Sequence, residues 1–129
     1  MRPDREPGTA DVVLDVEFAD GLLFLVLANL GDEPAHSVRV RFDEPLHGLG
    51  GDRRIDRLRI FRRLEFLAPQ RRIRIFFDRS ALFFARGDAT AFTATLAWRT
   101  DAGERCTRTI RHDLDVYRDF PYLEVPRDA

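Results

Sequence analysis

The chain has 129 residues, 44% of them apolar and 33% charged, with eleven Phe, which is enough for one domain with a single core and too apolar for a disordered chain. Its formal net charge of −1 removes any global pull toward nucleic acid or membrane surfaces, so such binding would have to come from a local patch. Cys106 stands alone, which excludes an intrachain disulfide, and no apolar run approaches the ~20 residues of a membrane-spanning helix.

Residues 1–10 carry two Pro, a Gly and alternating charges, and read as a flexible N-terminal tail without the apolar core of a secretion signal. With Met1 as the natural start, the expected location is the cytoplasm. Val12, Leu14, Val16 and Phe18 then alternate with Asp11, Asp15 and Glu17 as an edge-like strand. Ala19-Asp20-Gly21 turns the chain into Leu22–Asn29, a strand apolar on both faces. Asn29-Leu30-Gly31 and Pro34 make a corner. Beyond it Ala35 leads into Val38-Arg39-Val40-Arg41-Phe42, whose period of two marks one buried and one wet face.

Residues 43–56, with Pro45 and three Gly, read as a flexible connection. Leu58 and Ile60, then Leu64 and Phe66, alternate with charged neighbours and predict two short strands flanking a turn. Ala68-Pro69-Gln70 breaks the chain before a strand through Ile73, Ile75 and Phe77, and the apolar stretch from Ser80 to Gly87 predicts a helical turn. The clearest hairpin follows. Phe92, Ala94, Leu96 and Trp98 face one way, Thr100–Gly103 turns, and Cys106, Ile110 and His112 return on the core face. About seven to eight strands with regular turn signals predict an all-β, antiparallel sandwich over residues 11–114, and the arm 115–129 follows it. Phe24, Val26, Val40, Phe42, Leu96 and Trp98 are the expected core.

The string Asn29-Leu30-Gly31-x-x-Pro34-Ala35-x-x-Val38-x-Val40-x-Phe42 resembles the N-x-G-x-x-x-A-x-x-V-x-V core of bacterial immunoglobulin-like modules of the cell-adhesion-related (CARDB-like) type. Leu64-x-Phe66-Leu67-Ala68-Pro69-Gln70 is similar to the L-x-P-G corner of those modules, with Gln70 where the pattern has Gly. The resemblance implies an immunoglobulin-like fold. The corner also has a physical reason: Asn and Gly tolerate left-handed backbone, and the Asn amide can satisfy backbone groups where a buried strand leaves its sheet.

No catalytic constellation emerges. His36, His47 and His112 are scattered without metal-ligand spacing, and Asp113, Asp115 and Asp119 cluster without a calcium-loop consensus. Gly48-Leu49-Gly50-Gly51 lacks the Lys and helix of a phosphate loop, and Arg86-Gly87-Asp88 suits any turn before a strand. No enzyme activity, cofactor or metal is expected. The feature that stands out is a face. With Val38, Val40 and Phe42 inward, Arg39 and Arg41 point out, joined on the terminal hairpin by Thr93, Thr95, Arg99, Thr107, Thr109 and Arg111. The expected function is a non-catalytic protein-interaction or scaffold module. One alternative is polyanion or nucleic-acid binding through this Arg/Thr face, against which the neutral net charge counts. A further alternative is a small enzyme or carbohydrate binder with a polar cleft at one end of the sandwich. The arm brings Tyr117, Phe120, Tyr122 and Leu123 close together, which is costly to leave wet and suggests a homodimer.

Overall fold

The computed structural model describes residues 9–119, and in it strands dominate. β1 (Val12–Ala19) and β2 (Leu22–Asn29) form a hairpin whose two-residue turn, Asp20-Gly21, has both φ angles positive, at 53° and 78°. Asp-Gly tolerates that turn, and the turn suits the right-handed twist of the strands it joins. β3 (Ala35–Phe42) follows the corner, and β4 (His47–Gly48) and β5 (Arg53–Arg54) pair as a two-rung ribbon. The segment 43–56 is thus more ordered than a flexible connection, because Leu46 and Ile55 anchor it in the core.

Leu58 and Ile60 do not lie on a strand. Arg59–Arg62 is a single helical turn, α1, which buries Phe61 against Phe42 with ring centroids 5.1 Å apart. β6 (Leu64–Leu67), β7 (Arg72–Arg79), α2 (Ser80–Arg86), β8 (Ala91–Arg99) and β9 (Arg105–Asp113) follow, and a 3₁₀ turn at Leu114–Tyr117 is the last element among the described residues.

Apart from the β4-β5 ribbon, the strands among the described residues build two antiparallel sheets, β1-β2-β7 and β6-β3-β8-β9. One cluster takes side chains from both: Val12, Leu14, Leu23, Leu25 and Leu27 from the first, and Val38, Val40, Ala94, Leu96 and Trp98 from the second. Two antiparallel sheets closing on a shared core are consistent with an all-β sandwich. Among the described residues no helix is long and apolar enough to cross a membrane.

The expected core needs one correction. On β2 the residues turned into the inter-sheet cluster are Leu23, Leu25 and Leu27, so Phe24 and Val26 belong to the opposite face, where Val26 is fully buried as expected while Phe24 is only half-buried. Phe24 meets Phe76 edge-on at 5.8 Å and carries the Arg74 guanidinium 3.8 Å over its ring. A strand apolar on both faces cannot announce which one is inside.

Two irregularities interrupt the ladders. The register of β3 on β8 shifts between His36 and Arg39, and Ser37 there has φ 51°. The register of β2 on β7 shifts between Leu23 and Phe24, which brings both Phe77 and Asp78 into the interior. Each is a bulge, one extra residue that re-aims its neighbours.

Candidate functional site, an arginine-lined cleft

On the four-stranded sheet a cleft of about 330 Å³ is lined by Ser37, Arg39, Arg63, Ala97, Trp98, Arg99, Arg105, Cys106 and Thr107. Strand pairing accounts for the gathering. Arg39 lies opposite Ala97, Ala97 opposite Thr107, and Arg99 opposite Arg105, across β3, β8 and β9. Ala97 is short, so it leaves a depression between the longer arginine side chains. The bulge at Ser37 adds a residue to β3 beside it, held in a left-handed conformation that costs a non-Gly residue about 1–2 kcal/mol.

The electrostatics of the cleft are lopsided. Arg63 pairs with Glu65 at 3.0 Å in an exposed ion pair, and Arg99 donates to the Gly103 carbonyl at 3.2 Å. Arg39 and Arg105 have no ion pair with any described carboxylate. An exposed Arg–carboxylate pair is worth only about 0.2–1 kcal/mol, so the Glu65 contact gives way easily to a better one.

The predicted Arg/Thr face lies on β3, β8 and β9, which are adjacent strands. Arg39, Arg99 and Thr107 of that set line the cleft. Arg41, Thr95, Thr109 and Thr93 continue the same alternation away from it, with Arg41 opposite Thr95, Thr95 opposite Thr109 and Thr93 opposite Arg111. Asp43 bonds the Thr93 amide at 2.8 Å and so belongs to the far end of this face. Sequence reasoning missed Arg63 and Arg105. Arg105 was readable, since a hairpin turning at residues 100–104 sets Arg105 opposite Arg99. Arg63 was not, because its place depends on the helical turn before it.

Cys106 borders the cleft as a free thiol. Burial, and then the Glu104 carboxylate, push it above the ordinary cysteine value, so it is a poor nucleophile. Trp98 is buried as expected, and its Nε1–H has no acceptor among the described residues.

Other candidate groups are absorbed in structure. Arg86 of the Arg-Gly-Asp tripeptide reaches inward to the buried Asp78 at 2.8 Å, to the His47 carbonyl at 2.7 Å and to Asp88 at 3.0 Å. His36 contacts Asp101 at 2.6 Å, and His112 Nε2 lies 2.7 Å from the Leu14 carbonyl. Asp113 accepts from the Asp115 amide and the Thr90 hydroxyl, which outweigh a small burial cost and hold its carboxyl below the usual range, while Arg118 pairs with Asp115. Among the described residues no group of three or more His, Cys, Asp or Glu is gathered as a metal would need. Tyr117 is half-buried, its ring parallel to that of Phe18 at 6.4 Å. Phe120, Tyr122 and Leu123 of the suggested self-association set lie outside the described residues.

Neither the curated proteins nor the solved structures hold a match to this sequence. A family model, Domain of unknown function (DUF8453), matches residues 2–118, nearly the whole chain, and the protein therefore belongs to that family.

Proposed function

We propose that the protein is a non-catalytic, immunoglobulin-like interaction module and that its arginine-lined cleft docks an acidic stretch of a partner protein. The immunoglobulin-like assignment draws on the strand order. With β1, β2, β3, β7, β8 and β9 read as A, B, C, E, F and G, the sheets are A-B-E and C-F-G, and β6 sits beside C. The resemblance at Asn29–Phe42 points the same way. A non-catalytic role is supported by the raised thiol of Cys106 and by the capture of His36, His112 and Asp78 in structural contacts.

The observation that carries the proposal is the convergence of Arg39, Arg63, Arg99 and Arg105 on one cleft, where only Arg63 has a carboxylate partner among the described residues. Guanidinium forks recognise carboxylates in bidentate fashion, and the Thr107 and Ser37 hydroxyls can complete the bonds of an incoming acid. Four solvated pairs of about 0.2–1 kcal/mol each give weak, salt-sensitive docking on their own.

The test is binding of the full chain to poly-glutamate and to heparin across a salt series. Acid-peptide docking predicts poly-glutamate binding at low salt that fades as charges are screened over a shortening Debye length. Tighter binding to heparin would move the conclusion to the polyanion alternative, whose affinity falls steeply as counterions are released. Failure to bind either at low salt would end the proposal.

A further inference from the structure

Among the described residues the four-stranded sheet stops at β9, and the hairpin's own hydrogen bonds decide which backbone groups of that strand remain unspent. Thr100 N–H donates to Glu104 O at 2.9 Å, and Leu114 N–H donates to Thr90 O at 2.8 Å. The register between these two bonds is unbroken from Arg99/Arg105 to Ala91/Asp113. In an antiparallel ladder the bonded pairs alternate, so Cys106, Arg108, Ile110 and His112 exchange their bonds with β8. Across β8 the Asp43 amide donates to Thr93 O, as the same alternation requires. Arg105, Thr107, Thr109 and Arg111 therefore turn their N–H and C=O groups to the free edge, and their side chains share a face with the cleft.

We infer that β9 is a strand-addition site, where an extended segment of an acidic protein pairs with the free edge while its carboxylates reach the arginines. This rests on the docking function proposed above and names its geometry. Main-chain bonds would supply the affinity that solvated ion pairs cannot, and side chains would supply the choice of partner. Residues directly opposite one another in such a ladder share a face, so the pattern of the segment is set by β9. Acidic residues sit opposite Arg105 and Arg111, six positions apart, and β-branched residues sit opposite Thr107 and Thr109. Arg99 flanks Arg105 from the other side, which gives the acid at that position two guanidiniums.

Charge selects the acidic partner over a second copy. A second β9 arrives with the same arginines on its outer face. The acid it offers at the strand end, Asp113, is already held by the Thr90 hydroxyl and the Asp115 amide. At the opposite edge of the sheet, β6 is four residues long and exposes Phe66, which offers less ladder and no such charge pattern.

The probe is a short peptide, capped at both ends, with Asp at positions i and i+6, Val at i+2 and i+4, and Ser between. It is titrated into the full chain alongside an isomer with the same composition in scrambled order. A third version carries N-methyl groups on the amides that would meet the edge. The patterned peptide should bind best, N-methylation should weaken it by about tenfold or more as several main-chain bonds are lost, and the amides of Thr107, Thr109 and Arg111 should gain exchange protection on binding. Thr109→Pro removes one edge donor while sparing the bonds to β8, as edge prolines do, and should weaken binding in a chain that stays folded. Should that variant unfold, the N-methylated peptide on the natural chain decides alone. Equal binding of the patterned, scrambled and N-methylated peptides would overturn strand addition yet leave acidic docking standing. Absence of binding by every acidic peptide would overturn both, and sedimentation as a dimer paired through β9 would replace the acidic partner with a second copy.

Discussion

Asn29 shows how one side chain can set a corner. It is fully buried, and its amide is fully used: Oδ1 accepts from the Asp11 amide at 3.0 Å and the Gly31 amide at 2.9 Å, while Nδ2 donates to the carbonyls of Glu33 at 2.8 Å and Leu67 at 3.2 Å. Those contacts tie the start of β1, the corner after β2 and the end of β6 into one knot. The amide's role was legible in the sequence, but the reason for the glycine was not. Gly31 does not adopt a left-handed conformation; a Cβ there would stand 2.1 Å from the Thr9 carbonyl oxygen, so it is close approach of the chain that demands Gly. The left-handed residue is instead Gln70, at φ 62°, whose Nε2 donates to the Leu30 and Gly31 carbonyls at 3.0 and 2.9 Å. The side chain that departs from the resembled pattern thus fastens the second corner to the first. Asn29→Ala strands several buried backbone groups and should cost about 3 kcal/mol, measured by urea unfolding. A cost within about 0.5 kcal/mol, the range of an ordinary surface substitution, would refute this account of the corner.

Among the elements, those with strict period-two patterning were readable, and β1, β3, β8 and β9 follow their alternation. Elements whose form depends on a distant partner were not. The turn at Arg59–Arg62 is helical because it drops Phe61 onto Phe42 and into the core, a contact that local alternation cannot report. The bulge on β7 likewise exists to deliver Asp78 inside. There its carboxylate accepts from the Gly50 and Arg79 amides at 3.0 and 2.8 Å and from Arg86 at 2.8 Å. Burial works against the charge on Arg86, but the bonds to Asp78 and Asp88 outweigh it and keep it firmly protonated. Arg86→Ala leaves the Asp78 carboxylate buried without its counter-charge and should destabilise the fold by about 3–5 kcal/mol, seen as a lower midpoint in denaturant.

A second clasp, in the β4–β5 segment, adds a pH dependence. Burial pushes the Asp56 carboxyl up, but the Arg54 guanidinium and the Leu46 amide outweigh that and hold it below the ordinary range. A depressed folded value means stability that is present above the unfolded value of about 4 and lost as pH falls through the folded one. The stability difference between the natural chain and Asp56→Asn should therefore shrink below about pH 4. A difference that holds constant down to about pH 2 would contradict the assignment.

For the whole molecule, the sequence was legible as far as a pattern of strands with one apolar face each, including Trp98, Leu96 and Val40 in the core. The order of strands within the sheets was not legible from alternation, which says which face a residue takes and nothing of which strand lies beside it; only the immunoglobulin-like resemblance set β3 beside the terminal hairpin. The cleft depends on that order. Arg39 and Arg105 are 66 positions apart in the chain and meet only because β8 stands between β3 and β9. The neutral net charge conceals the asymmetry that results, since acids such as Glu17, Asp78 and Asp56 are spent in ion pairs elsewhere.

The most direct measurement compares two charge reversals of equal size in binding to poly-glutamate at low salt. One carries Arg39→Glu with Arg105→Glu in the cleft. The other carries Arg71→Glu with Arg79→Glu, exposed positions beside and on β7 of the other sheet. Docking in the cleft predicts that the first variant loses binding, while the second keeps most of it and both stay folded. Equal losses from the two variants would mean that net charge alone drives the association and that the cleft is no site.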